Sequence, residues 1–277
     1  MLGQAGLGGN AMNSYGMVFG VIFVASLALT FGIGLLRRLT RKRHAAREPW
    51  TLDASVFGFF AALYAFFLGF CVVTLWNAFS QAKIVAAGEA NALQAAGCQS
   101  LVLPGTDRFR LVLSEYLEAV IGGEWAAMDR NGTMSPRARE HFNRLWEAYR
   151  DMTPPAGDAA CLYAGIARSL EDAARFRKER ALLLSGNIYP PLWVIIFFGL
   201  AGMGLAFYCA DPGLHRGQAL MMFVVFFMVL SCIYFIYDIS TPFSGILNVP
   251  PDFFQAVLDH LCRLTPPAGG AGSLPRP

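Results

Sequence analysis

The chain has 277 residues; 55% are hydrophobic, only 15% are charged, and the formal net charge is +3. A soluble domain of average composition carries about 25% charged residues. With too little polar surface to cover a body in water, the composition argues against a soluble globular protein and for a membrane protein.

The first charge-free stretch, residues 1–36, predicts a transmembrane helix at about 15–36. It lacks a basic leader and its apolar run is too long for a signal peptide, so it is expected to be retained. Three more stretches without Asp, Glu, Lys or Arg cover 54–82, 181–210 and 217–237. Crossing a bilayer core takes about 20 apolar residues, which predicts spans two, three and four at about 55–79, 191–210 and 218–238. Each is a helix, because lipid offers the backbone no other hydrogen-bonding partner.

Spans one and two are joined by a basic run containing Arg37, Arg38, Arg41, Lys42, Arg43 and Arg47. A nucleic-acid site would need a scaffold and aromatic side chains for stacking. This is a short loop with no aromatic before Trp50, so nucleic acid is not an expected partner. Lys and Arg concentrate in short cytoplasmic loops, and anionic lipid headgroups add about 1 kcal/mol per basic residue near the surface. The run is therefore read as an orientation and headgroup signal. It makes residues 37–53 cytoplasmic in a bacterial inner membrane and places both termini outside. A second basic cluster at 175–180 opposes this, but Glu171, Asp172 and Glu179 partly balance it and it belongs to a long segment, where the rule weakens.

The segment 83–180 carries thirteen Lys/Arg and thirteen Asp/Glu. It reads as four helices in an antiparallel bundle, the first continuing span two to about Leu103. The second runs from Asp107 to about Met128, with Phe109, Val112, Leu113, Tyr116, Leu117 and Val120 as its apolar stripe, and stops at Asn131-Gly132. The third starts with Ser135 as cap and Pro136 in the first turn. The fourth begins near Asp158 and carries Leu162, Ile166, Leu170 and Ala173 on one face. After span four come a Pro-Phe-Ser-Gly turn, a short amphipathic helix at about 252–264 and a Pro/Gly-rich tail. The fold class is all-α, with four parts: 1–82 with spans one and two, the helical domain 83–180, 181–246 with spans three and four and the turn, and 247–277.

Glu89 lies on the apolar stripe of the helix leaving span two, where a carboxylate must be paired or solvated. It is either a hydrogen-bonded structural acid or an acid facing an ion path or a subunit interface. Asp238 ends span four and is either an ordinary acid at the membrane interface or a functional one. Pro242, Phe243, Ser244 and Gly245 form an irregular turn near the membrane interface, tolerated there only against protein or water. It is either docked or a constriction at a pore mouth. Glycine pairs in spans one and three (Gly16 and Gly20, Gly199 to Gly204) mark close helix contacts. Of six cysteines, Cys71, Cys209 and Cys232 read as packing residues. Cys98 and Cys161 are read either as a disulfide in an oxidising compartment or as two unpaired core residues. No catalytic fingerprint, cofactor motif or Cys/His metal spacing occurs, so no enzyme, cofactor or metal is expected.

The order of elements and the stretches "FGFFAALYAFFLGFCVVTLW" (57–76), "GEANAL" (88–93), "EYLEAVIGGEWAAM" (115–128), "YPPLWVIIFFG" (189–199) and "DISTPFSG" (238–245) resemble the bacterial bestrophin-like family, over about 51–264. True bestrophins are pentameric anion channels with hydrophobic necks. The resemblance therefore implies a homo-oligomer, possibly a pentamer, with span two lining a pore and Phe66, Phe67 and Phe70 as neck residues. It also implies a cytosolic helical domain, opposite to the charge reading. The expected function is an oligomeric channel-like protein for small ions, possibly anions. The alternative is a membrane sensor or accessory protein whose bundle binds a ligand or partner.

Overall fold

The structure, a computed structural model, describes residues 4–41, 54–154, 157, 159–184, 190–209 and 216–264. Every regular element among them is a helix: α1 (Gln4–Arg41), α2 (Ala54–Val102), α3 (Asp107–Ala119), a π-turn (Val120–Glu124), α4 (Trp125–Asn131), α5 (Pro136–Arg150), α6 (Ala159–Leu183), α7 (Pro190–Cys209), α8 (Arg216–Ile239) and α9 (Asp252–Leu264). Four helices are long and apolar enough to cross a membrane: Ser14–Thr40, Ser55–Val102, Pro190–Cys209 and Gly217–Ile239. The chain divides into two compact units, Met1–Ala78 with Asn187–Ser240, and Phe79–Gly186 with Thr241–Pro277.

In the membrane unit α1 packs along α8, with Phe23 edge-on to Phe223 at 5.1 Å. The α2 helix meets α7 through Tyr64, whose hydroxyl donates to the Ile196 carbonyl at 2.8 Å. A Cβ on Gly199 would stand 2.1 Å from the Tyr64 ring, and one on Gly202 would stand 2.7 Å from the Phe60 ring. Both glycines are therefore what lets the rings lie on α7. Gly16 and Gly20, by contrast, face nothing within 4 Å, so the span-one pair marks no contact inside the chain.

The helical unit follows the apolar stripes of its sequence. Phe109, Leu113, Tyr116, Leu117, Leu145, Ile166, Leu170 and Ala173 are buried. Ser135 accepts from the Ala138 amide ahead of Pro136, and Gly132 closes α4 in the left-handed region at φ 61°. Two features were not expected. The α9 helix is a full member of the bundle, burying Phe254, Val257 and Leu261. And the second predicted helix is not one α-helix: a π-turn interrupts it at Val120–Glu124. Tyr116, Val120, Glu124 and Met128 are all buried. At 3.6 residues per turn, positions four apart drift by about 40° each, and a wider turn absorbs that drift.

The π-turn aims Glu124 into the core, where it meets Glu89 of α2 and two arginines of α6. Arg180 donates to Glu89 from Nε at 2.9 Å and from Nη2 at 3.1 Å, and to Glu124 at 2.6 Å. Arg177 grips Glu124 with both terminal nitrogens, at 2.9 and 2.5 Å. The Tyr116 hydroxyl accepts from Arg177 and donates to Glu89, each at 2.7 Å. The side chains of Glu89, Glu124 and Arg180 are fully buried and that of Arg177 nearly so. The rings of Trp125 and Phe254 lie under the Arg180 guanidinium at 4.9 and 5.6 Å. Two acids and two bases leave the cluster neutral, which is how four buried ionised groups are tolerated. Burial alone would lower the Arg180 guanidinium, but Glu89, Glu124 and Tyr116 outweigh it and hold its pKa above the ordinary value. Burial first, then the Glu89 charge, pushes the Tyr116 hydroxyl well above its usual 10.0.

Removing one partner strands a buried charge, at a cost of about 3–5 kcal/mol. Glu89→Ala and Arg180→Ala are each expected to destabilise the full chain by about that amount in detergent denaturation, with the double variant well short of the sum. Stabilities that simply add would contradict the direct pairing. Tyr116 also sets an alkaline limit. Its pKa is higher folded than unfolded, so its contribution is complete below pH 10.0 and is lost as pH rises above it. Each such group steepens the fall by about 1.4 kcal/mol per pH unit. Denaturation series across that range should show Tyr116→Phe with a shallower slope than the wild type.

Candidate functional site

The α2 helix is 49 residues long and belongs to both units. Tyr64, Leu68, Cys71 and Leu75 are its buried face in the membrane unit. The opposite face is exposed: Phe66 is 75% exposed, and Phe59, Phe70 and Val73 are exposed with it. At 100° per residue, positions 66, 73 and 77 in the membrane unit fall within about 20° of one line, positions 84, 91, 95 and 102 in the helical unit likewise share a line, and all are exposed. Neither line bears an ionisable residue, and each bears one amide, Asn77 or Asn91.

The three proposed neck residues do not share one environment. Phe66 stands on the strip and Phe70 beside it. Phe67 is half-buried and, with Phe70, lines a cavity of about 100 Å³ against Leu192, Ile196 and Ile236. Phe67 thus reaches inward to α7 and α8, where Phe66 does not.

The other expected site residues are dispersed. Glu89 is closed inside the bundle and accepts bonds from Arg180 and Tyr116, so within the chain it faces no open path. Asp238 is buried near the end of α8. The Pro242–Gly245 turn belongs to the helical unit and not with span four. Phe243 is buried there against Trp125, with ring centres 6.1 Å apart. The Val249 amide bonds the Pro242 carbonyl at 2.8 Å, and Gly245 takes φ 89°. Cys98 and Cys161 are not joined to each other in a disulfide. Gly88 lies against Phe176 and Gly165 against Gln99, which sets Cys161 level with Leu103, five residues past Cys98. The Cys98 sulfur instead faces His260 of α9 at 4.0 Å.

Of the basic run, Arg37 donates to the Tyr208 carbonyl at 3.1 Å, and the Tyr208 hydroxyl donates to Thr40 at 2.9 Å, tying the C-terminal ends of α1 and α7. Arg38 is exposed and Arg41 ends α1. Lys42, Arg43 and Arg47 lie outside the described residues. Among the described residues no cluster of His, Cys, Asp or Glu could hold a metal ion. Sequence reasoning missed Tyr116, Glu124, Arg177 and Arg180 as partners of Glu89. The signals available were Gly122-Gly123, which loosen a helix just ahead of Glu124, and the three-residue spacing of the arginines.

No curated protein matches the chain. Among solved structures, two point variants of a bacterial bestrophin homologue from Klebsiella pneumoniae match with TM-scores of 0.69 and 0.68, at 12% and 14% identity. These matches cover 87% and 91% of this chain and 98% and 100% of theirs. A point variant of a membrane protein matches with TM-score 0.70 at 13% identity, over 87% of this chain and 97% of that one. At these identities the likeness establishes the fold. The family model for the Bestrophin-like domain matches residues 23–254; with the fold and four candidate membrane spans, the chain belongs to the Bestrophin-like family.

Proposed function

We propose that the protein conducts small ions, anions among them, through a pore enclosed by the α2 helices of several copies, with no catalytic role. The observation that carries this is the exposed, charge-free line along α2. In a lipid-facing helix, exposed Phe and Val cost nothing, but an exposed amide such as Asn77 does. A face that joins aromatic side chains to amides without a charge suits a conduit with a hydrophobic neck and wet continuations. Copies related by a rotation axis would set these faces toward one another. A pentamer is the number the bestrophin architecture suggests.

On this reading Phe66 and Phe70 form the neck, and Phe67 supports it from behind. In liposomes the wild-type oligomer is expected to pass small anions; a folded oligomer that passes none overturns the reading. Phe66→Ala and Phe70→Ala should raise the flux per oligomer. Phe67→Ala, which enlarges the cavity at α7 and α8, should instead lower thermal stability, by less than the about 3–5 kcal/mol lost when a fully buried Phe is truncated. Equal flux changes at all three would contradict the division of roles.

For location we propose the bacterial inner membrane, with the run from Arg37 to Arg47 cytoplasmic and both termini outside. A reporter fused after Pro277 that works only outside the cytoplasm should be active; one that works only inside should be silent. The reverse pattern would invert the topology and align it with the cytosolic domain of true bestrophins.

A further inference from the structure

We propose that the cavity behind the phenylalanine band of α2 is a binding site for a small neutral apolar molecule, xenon or a short halocarbon in size, and that its occupant holds Phe70 outward. The second half of this rests on the conduction reading above. The cavity has a volume of about 100 Å³ and lies wholly within the membrane unit, among α2, α7 and α8. Phe67 and Phe70 wall it from α2, Ile196 from α7 and Ile236 from α8.

Side-chain length accounts for the space. Cys71 and Thr74 have the shortest side chains in its lining, and they face a gap that the longer residues around them do not close. Helices in a bilayer are held together by van der Waals packing, and every atom lining a void forfeits part of that contact. A molecule of matching size restores it.

Water is a poor occupant, because a buried water makes about three hydrogen bonds. The lining offers the Thr74 hydroxyl and the Cys71 thiol, the second a weak partner, and is otherwise hydrocarbon. An apolar cavity of about 150 Å³ walled by Leu, Ile and Phe stays dry and takes up benzene or xenon. The smaller space here selects molecules below benzene in size. Such molecules concentrate in the bilayer, so the membrane unit meets them at raised concentration.

The position of the site gives binding a consequence. Phe70 lines the cavity, yet it is 63% exposed on its other side, next to the strip that bears Phe66. With the cavity empty its ring has room to turn inward; with the cavity filled it does not. On the conduction reading the occupant therefore favours the narrower neck, and binding lowers the flux.

The binding test is methyl NMR of the full-length protein in detergent under rising xenon pressure. Ile236 is fully buried, and its methyl signal, identified by its loss in Ile236→Val, should shift and saturate. Cys71→Leu, which fills the space, should abolish the shift; if that variant misfolds, Leu192→Phe fills the space from α7. In liposomes xenon should cut wild-type chloride flux by about twofold or more, and the filled variant should run at the reduced rate with no response to xenon. A folded wild type with no saturating shift overturns the site, as does a shift that survives filling. A shift without a flux change in a conducting oligomer overturns the hold on Phe70. If the wild type passes no ion but shows a shift that filling abolishes, the conduction reading fails, the hold on the neck fails with it, and the binding site stands.

Discussion

The helical unit depends on four ionised groups that share one dry space. Six helices and a π-turn converge there, α4 through Trp125 beneath Arg180. Glu89 comes from α2, Tyr116 from α3 and Glu124 from the π-turn, while α6 supplies Arg177 and Arg180. Phe142 of α5 lies 5.9 Å from the Arg177 guanidinium, and Phe254 of α9 lies against Arg180. A buried ion cluster is weak evidence of net stabilisation, since desolvation offsets much of the attraction. Its effect is on specificity. An alternative register of α2 against α6 would leave a carboxylate or a guanidinium without a partner, at several kcal/mol.

That constraint reaches the exposed side of α2. Because Arg180 draws the one carboxylate of α2 into the core, the opposite side of the helix is left without negative charge. The same cluster fixes the segment after span four. Glu124 is followed directly by Trp125, whose indole donates to the Val249 carbonyl at 2.7 Å and meets Phe243 and Phe254 edge-on. One residue of the π-turn thus orders the ionic core, and the next anchors the chain on its way from α8 to α9.

The sequence revealed the elements better than their partners. The spans were legible because an ionised side chain in hydrocarbon is expensive and its absence is easy to count. Cap residues such as Ser135-Pro136 and Asn131-Gly132 marked helix ends for equally local reasons, and α9 was visible from its amphipathic pattern. Glu89 was recognisable as an acid on an apolar stripe. Its partners were not, because Arg177 and Arg180 sit in a run of mixed charge that looks like a solvated face. The π-turn left only a pair of glycines as a trace. Whether Cys98 and Cys161 pair was left open in the sequence, because height above a membrane does not specify register. Pro242–Gly245 was assigned to the membrane part by its position in the chain, whereas Phe243 is buried against a tryptophan 118 positions earlier.

In the membrane unit, span windows are only 17–22% buried within the chain. For most of that surface lipid is sufficient cover, since acyl chains are as apolar as Leu or Phe. The exposed α2 face of that unit differs, because an aromatic band there runs on into Asn77. A purely lipid-facing helix gains nothing from that amide, and a dry protein interface would have to satisfy it. On the conduction reading proposed above, water inside an assembly satisfies it without a dedicated partner, and the phenylalanine band is then the stretch where water is disfavoured.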